Sequence, residues 1–164
     1  MSLFKTLWSN YPKDDPCDAK NESGDILFKN QCAIRLSHSL NKSGVSLVSF
    51  PKARKCWVHK DKNEVLAAKE LSDWLDRSVH PKIKKSITIT GSEWRDKILD
   101  KKGIICFGDY YAASGGSGGD HIDLWDGSSL TGLGSWLRTR FNIVVPGYWS
   151  DFRNSKKIRF FEVL

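Results

Sequence analysis

Asn30-Gln31-Cys32-Ala33-Ile34-Arg35-Leu36-Ser37 is the stretch on which the reading of this chain turns. Asn30 is a helix-capping residue type, apolar Ala33, Leu36 and Leu40 follow at helical spacing, and Gly44 supplies a stop. The spacing predicts a helix with Cys32 just inside its start. A thiol is nucleophilic only as thiolate, and a helix N-terminus favours that form through its partial positive charge and free amide donors. Cys32 has a second reading as a small buried hydrophobe. What favours chemistry is Asp120-His121-Ile122-Asp123-Leu124-Trp125, which begins 88 positions after Cys32 and alternates along its length. It predicts a strand with His121, Asp123 and Trp125 on one face.

Composition narrows the classes. At 164 residues and 40% hydrophobic content, residues 1–164 form one globular domain long enough to bury a core. The net charge of +7 favours a polyanionic partner. Nucleic acid is not expected, because the chain holds no zinc-finger spacing, no aromatic RNA-binding strand motif and no basic helix. Cysteines at 17, 32, 56 and 106 are too few and too scattered for a disulfide scaffold. No CxxC and no His/Cys run has ligand spacing, so neither a metal nor another cofactor is expected. With no run of 18 apolar residues, no membrane span is expected either.

Residues 10–30 are polar, carry Pro12, Pro16 and Gly24, and read as a surface loop leading to the Cys32 helix. Val45-Ser46-Leu47-Val48 reads as a short extended piece. The clearest amphipathic helix spans 62–79: Ala67, Leu71, Trp74 and Leu75 share a face, Asp61 or Asn63 caps it, and His80-Pro81 ends it. Ile87-Thr88-Ile89-Thr90 reads as a strand, 92–99 as a short helix, and Ile104 to Phe107, His121 to Trp125 and Ile158 to Val163 as strands. Helices first and a mostly antiparallel sheet after them give an α+β fold.

The Cys32 stretch resembles the signature of the type VI secretion amidase effectors, family 4. Gly103-Ile104-Ile105-Cys106-Phe107-Gly108, followed by a glycine-rich loop and then Gly119-Asp120-His121-Ile122-Asp123-Leu124-Trp125-Asp126-Gly127-Ser128, is similar to that family's second block. Phe4 to Pro12 resembles its opening, and the likeness runs loosely to the last strand. The resemblance implies a papain-like, NlpC-type cysteine peptidase domain, with N-terminal helices packed on the sheet. It implies cleavage of the D-glutamate to meso-diaminopimelate bond of peptidoglycan stem peptides, whose carboxylates also suit the basic charge. A toxin of this kind is carried by the secretion machinery into the periplasm of a competing cell, and a cognate periplasmic immunity protein protects the producer. The opening Met1-Ser2-Leu3-Phe4-Lys5 shows no basic and then apolar export signal, in keeping with that route.

Amide hydrolysis needs Cys32 as nucleophile, His121 as proton acceptor and donor, and fixed donors for the oxyanion, among them the Cys32 amide. The histidine also needs a group on its other ring nitrogen. The family's aspartate some eleven positions after the histidine is Gly132 here. Asp126, in the turn after the strand, and Asp123, on the histidine's own face, are the candidates that replace it. Asp126 is preferred because a turn residue can fold back over the ring. His38, His59 and His80 read as surface or packing residues. The Gly115–Gly119 loop lacks a P-loop ending and reads as a cleft wall beside His121. Trp125 and Trp136 are candidates to line that cleft, and Lys82, Lys84 and Lys85 to hold stem-peptide carboxylates. Two other functions stay open: a catalytically inert wall-binding module on the same scaffold, and a cysteine peptidase acting on another amide.

Overall fold

A computed structural model describes residues 1–51, 55–59, 62–90, 94–108, 120–131 and 157–164. Its elements run α1 (Leu3–Asn10), α2 (Cys32–Lys42), α3 (Ala68–Leu75), β1 (Ile87–Ile89), α4 (Trp94–Lys97), β2 (Gly103–Gly108), β3 (His121–Trp125) and β4 (Lys157–Glu162). The four described strands pair antiparallel in the order β1-β4-β2-β3. Among the described residues the last strand in sequence therefore lies inside the sheet, and β3, which carries His121, is at its edge. The architecture is α+β, as the element order implied.

The alternation of β2 and β3 divides the core in two. Ile104 and Cys106 on β2, with Ile122 and Leu124 on β3, join Leu3, Phe4 and Leu7 of α1, Leu36 and Leu40 of α2, and Leu71, Trp74 and Leu75 of α3 in one buried cluster. From the intervening positions, Phe107 and Trp125 meet Trp94 of α4 edge-on, with ring centroids 5.1 and 5.5 Å apart. Burying a side chain of this size contributes about 1.5–3 kcal/mol, so these clusters supply most of the drive for sheet and helices to associate. Trp125 is fully buried and its indole N–H donates to the Ile98 carbonyl at 3.1 Å. It is a core residue and not part of a cleft lining.

The α2 helix ends as its sequence indicates. Gly44 takes φ +83°, its amide donates to Asn41 O at 3.1 Å, and the Val45 amide donates to Leu40 O at 2.9 Å. That double bond around a left-handed residue satisfies the last carbonyls, and only glycine adopts it without strain. Beyond it, 45–48 is not extended strand but loop, with Val45 and Leu47 buried and Val48 exposed.

Two expected boundaries move. The helix expected over 62–79 is confined to Ala68–Leu75, with Ala67 at its N-cap and no side-chain cap. Residues before it are recruited elsewhere: Val65 bridges Lys55, and the Glu64 carbonyl accepts the Cys56 amide at 2.7 Å. Asn63, expected as a cap, has φ 53° and accepts a hydrogen bond from Lys55 Nζ at 2.9 Å. Asp61 lies outside the described residues. At the other end Ser78 takes φ 57°, so the chain leaves the helix before His80-Pro81. The α1 helix has no counterpart in the helical reading of the sequence. It is started by Ser2, whose hydroxyl accepts the Lys5 amide at 3.3 Å, and it is held by burial of Leu3, Phe4 and Leu7.

Candidate active site

The site is built where the N-terminus of α2 meets the start of β3. Cys32 is the first residue of α2, and Gln31 occupies the N-cap without a side-chain capping bond. Asn30 does part of a cap's work from one residue further out, its Oδ1 accepting the Cys32 amide at 3.3 Å. The amide expected to meet an oxyanion is thus held by Asn30 at rest. Gln31, fully buried, turns the other way: its Nε2 donates to Cys17 O at 2.6 Å and its Oε1 accepts the Cys17 amide at 3.2 Å. This clamps the loop at Cys17 to the residue immediately before Cys32.

His121 opens β3, with its ring 6.4 Å from that of Phe107, the two stacked at 23°. Cys32 and His121 are 3% and 4% exposed, so neighbouring groups and not solvent set the proton affinity of the imidazole. Asp123 Oδ2 lies 3.6 Å from His121 Nε2. Burial opposes charge on the imidazole, but hydrogen bonding of the protonated ring to Asp123 and Cys32 as acceptors, and the negative charge of both, outweigh it, pushing His121 up to about 9. Cys32, His121 and Asp123 are therefore brought together.

Asp126 is placed differently. Its Oδ1 accepts the amides of Ser128 at 2.8 Å and Ser129 at 2.7 Å, and its Oδ2 accepts the Ser129 hydroxyl at 3.1 Å. Burial tends to raise its pKa, yet these Ser129 and Ser128 donors leave it below the usual carboxylate range. Its carboxylate closes the turn at Gly127, which has φ +105°, instead of folding back toward the histidine.

Three residues near the pair carried no mechanistic signal in the sequence. Thr131 Oγ1 donates to Asp123 Oδ1, which also accepts the Leu124 amide at 2.7 Å, so Asp123 is fixed from two sides. Burial raises the Tyr11 phenol well above its ordinary value, and the charges of Asp123 and Cys32 add to that; Thr131 hydrogen-bonds it. Arg35, one turn along from Cys32, is buried and pairs with Asp15 at 2.9 Å. Tyr11 and Arg35 stand in the quoted sequence blocks, but Thr131 and Asp15 become visible only once the chain is folded.

Lys84 pairs with Glu162 at 3.0 Å, while Lys82 and Lys85 are exposed. A separate cavity is lined by Lys69, Asp73, Cys106, Asp120, Lys157 and Arg159, so Asp120 on its wall is the immediate neighbour of His121. Gly115–Gly119, Gly132 and Trp136 lie outside the described residues.

A thiol-bearing helix end packed against an antiparallel sheet with a histidine on its edge strand defines the α+β, NlpC-type class. The profile of the family described as type VI secretion system (T6SS), amidase effector protein 4, matches residues 28–161, and the chain belongs to that family. The crystal structure of the type VI effector Tae4 from Enterobacter cloacae superposes with a TM-score of 0.59 at 19% identity, covering 100% of this chain and 97% of that one. At that identity the likeness speaks for the fold. No curated protein gives a match. Membership makes the chain an amidase effector of type VI secretion, a hydrolase and antibacterial toxin directed at peptidoglycan. Among the described residues, no helix is long and apolar enough to cross a membrane.

Proposed function

We propose that the chain cleaves the D-glutamate to meso-diaminopimelate bond of stem peptides, with Cys32 as nucleophile, His121 as general acid and base, and Asp123 as the residue that orients His121. The observation that carries this reading is one buried imidazole with the Asp123 carboxylate 3.6 Å from its Nε2 and with Asp123 and Cys32 as the groups that raise its proton affinity. An imidazole held up to about 9 keeps its proton at neutral pH, and the proton it keeps is the one the thiol gives up.

The Cys32 thiolate attacks the scissile carbonyl carbon, and the tetrahedral oxyanion takes over the Cys32 amide from Asn30. The His121 imidazolium protonates the leaving amine as the C–N bond breaks. A water molecule, deprotonated by the now neutral imidazole, then attacks the thioester and releases the acid and Cys32. Asp123, anchored by Thr131 and the Leu124 amide, holds the ring through both half-reactions. In the cavity beside Asp120, Lys69 and Arg159 pair with Asp73 at 2.8 and 2.7 Å and Lys157 lines the same space, a basic wall that suits stem-peptide carboxylates. A glycine at 132, in place of the family's aspartate, speaks for an inert module; Asp123 beside the imidazole supports the enzyme reading instead.

The toxin acts in the recipient's periplasm, and a cognate immunity protein that occludes the Cys32 cleft protects the producer. Chromatography of purified muropeptides tests the reading. Wild type converts tetrapeptide-bearing species into products ending at D-glutamate, and Cys32→Ala and His121→Ala, though folded, do not. Unchanged muropeptides with wild type, or cleavage at another bond, would contradict it. Expression in the periplasm alone should lyse cells, and co-expression of the immunity protein should prevent it.

A further inference from the structure

Away from the catalytic pair, the fold assembles Cys17, Cys56, His59 and Glu64, whose donor atoms all lie within 4.8 Å of one another. They come from two separated stretches, which is why no ligand spacing is visible along the sequence. The two sulfurs are 3.9 Å apart, and His59 Nδ1 is 3.2 Å from Glu64 Oε2. A tetrahedral zinc ion with its usual bond lengths sets two thiolates about 3.8 Å apart and a nitrogen and an oxygen about 3.3 Å apart. A disulfide needs its sulfurs at about 2.05 Å.

Two further observations point to a cation. Glu64 is fully buried, and its Oε1 has no hydrogen-bond partner among the described residues. A buried carboxylate oxygen in that state is destabilising unless a cation or donor meets it. His59 Nε2, on the far side of the ring, lies 3.5 Å from Asp18 Oδ1. A carboxylate on the outer nitrogen is the usual way a metal-bound imidazole is oriented, and it leaves Nδ1 facing the cluster.

We propose that Cys17, Cys56, His59 and Glu64 form a structural zinc site. Two soft thiolates with an imidazole and a carboxylate suit zinc, and four protein donors leave no open position for a substrate. The ion is a staple. Cys17, Ala19, Ile34 and Cys56 form a buried cluster of their own, so the metal locks the 17–31 loop and the chain at 55–65 onto α2. Gln31, which grips Cys17 through both backbone groups, carries that restraint to the residue next to Cys32. Binding releases the thiol protons to solvent, and no redox step is involved.

The test is metal analysis of the full-length reduced protein after incubation with zinc and gel filtration, with cobalt(II) as the spectroscopic probe. A single zinc ion per chain is expected, together with a thiolate-to-cobalt charge-transfer band. Both should persist in Cys32→Ser, which excludes the catalytic thiol as the ligand. Both should vanish in the Cys17→Ser/Cys56→Ser double variant. His59→Asn, at a partly buried position, should weaken binding at least about tenfold. Chelator should lower the melting temperature of wild type and leave that of the double variant unmoved. No metal uptake, equal uptake by the double variant, or a Cys17–Cys56 disulfide in the zinc-incubated protein would overturn the proposal.

Discussion

His121 and Asp123 stand two residues apart on edge strand β3, their side chains on one face and their Nε2 and Oδ2 atoms 3.6 Å apart. Successive same-face residues on a strand are about 6.5 Å apart by backbone rise, so the approach is made by the side chains. In the proposed mechanism the strand itself thus supplies the orienting carboxylate, while the Asp126 carboxylate is taken up by the turn.

Asp123→Asn should lower turnover by roughly ten- to a thousand-fold, because the ring loses the charge that holds its tautomer and orientation. Asp126→Asn should leave turnover within about threefold and lower stability by about 0.5–2 kcal/mol, since it weakens four serine-borne bonds at the turn. Steady-state hydrolysis of muropeptides, paired with urea unfolding, separates the two. A larger catalytic loss in Asp126→Asn would reverse the assignment.

His121 makes folding pH-dependent in a defined window. Its pKa is raised from 6.5 to about 9 on folding, so its stabilising contribution is fully present below about 6.5 and is lost as pH climbs through about 9. Thermal melts of wild type and His121→Asn from pH 6 to 10 should show a stability gap that narrows across that interval. Asp126 has the opposite sign. Its depressed pKa gives stability that is present above the ordinary carboxylate value and lost as pH falls through the folded value. A gap that widens between 6.5 and 9 would mean that the imidazole is held neutral.

Gln31→Ala should destabilise by about 1–3 kcal/mol, because it leaves a buried amide and carbonyl of Cys17 without partners. The denaturant midpoint should fall with its slope unchanged. A neutral result would show that water replaces the amide there.

Gly103→Ala probes the sheet where β2 crosses β4. An added Cβ would meet the Phe161 carbonyl and stand 2.8 Å from the Phe160 ring, both firmly packed. The expected cost is about 1–3 kcal/mol of overpacking, read by urea unfolding. Wild-type stability in this variant would mean that β4 can shift away from β2.

The long periodic segments were legible. The α2 start and stop, the three buried strands and the α+β order follow from caps, glycine and alternation, which are local. What the sequence concealed depends on residues far apart in the chain. The 62–66 segment has helical spacing but pairs with 55–56, and tertiary pairing overrides propensity there. The sequence favours Asp126 as the partner of His121, because a turn residue can fold back, but Ser128 and Ser129 take its carboxylate and Asp123 is the one beside the ring. Thr131 comes to Asp123 through the turn at Gly127, and His59 lies against Glu64 in the cluster with Cys17; neither placement leaves a sequence pattern.

The central claim, that Cys32 and His121 act as an ion pair, is tested most directly by the pH dependence of Cys32 alkylation with a neutral reagent, followed by peptide mass spectrometry to separate it from Cys17, Cys56 and Cys106. Wild type should react rapidly at pH 6, well below the ordinary thiol value of about 8.5, and His121→Ala should react markedly more slowly there. A wild-type profile centred near about 8.5 and unmoved by His121→Ala would contradict the pair and the mechanism built on it.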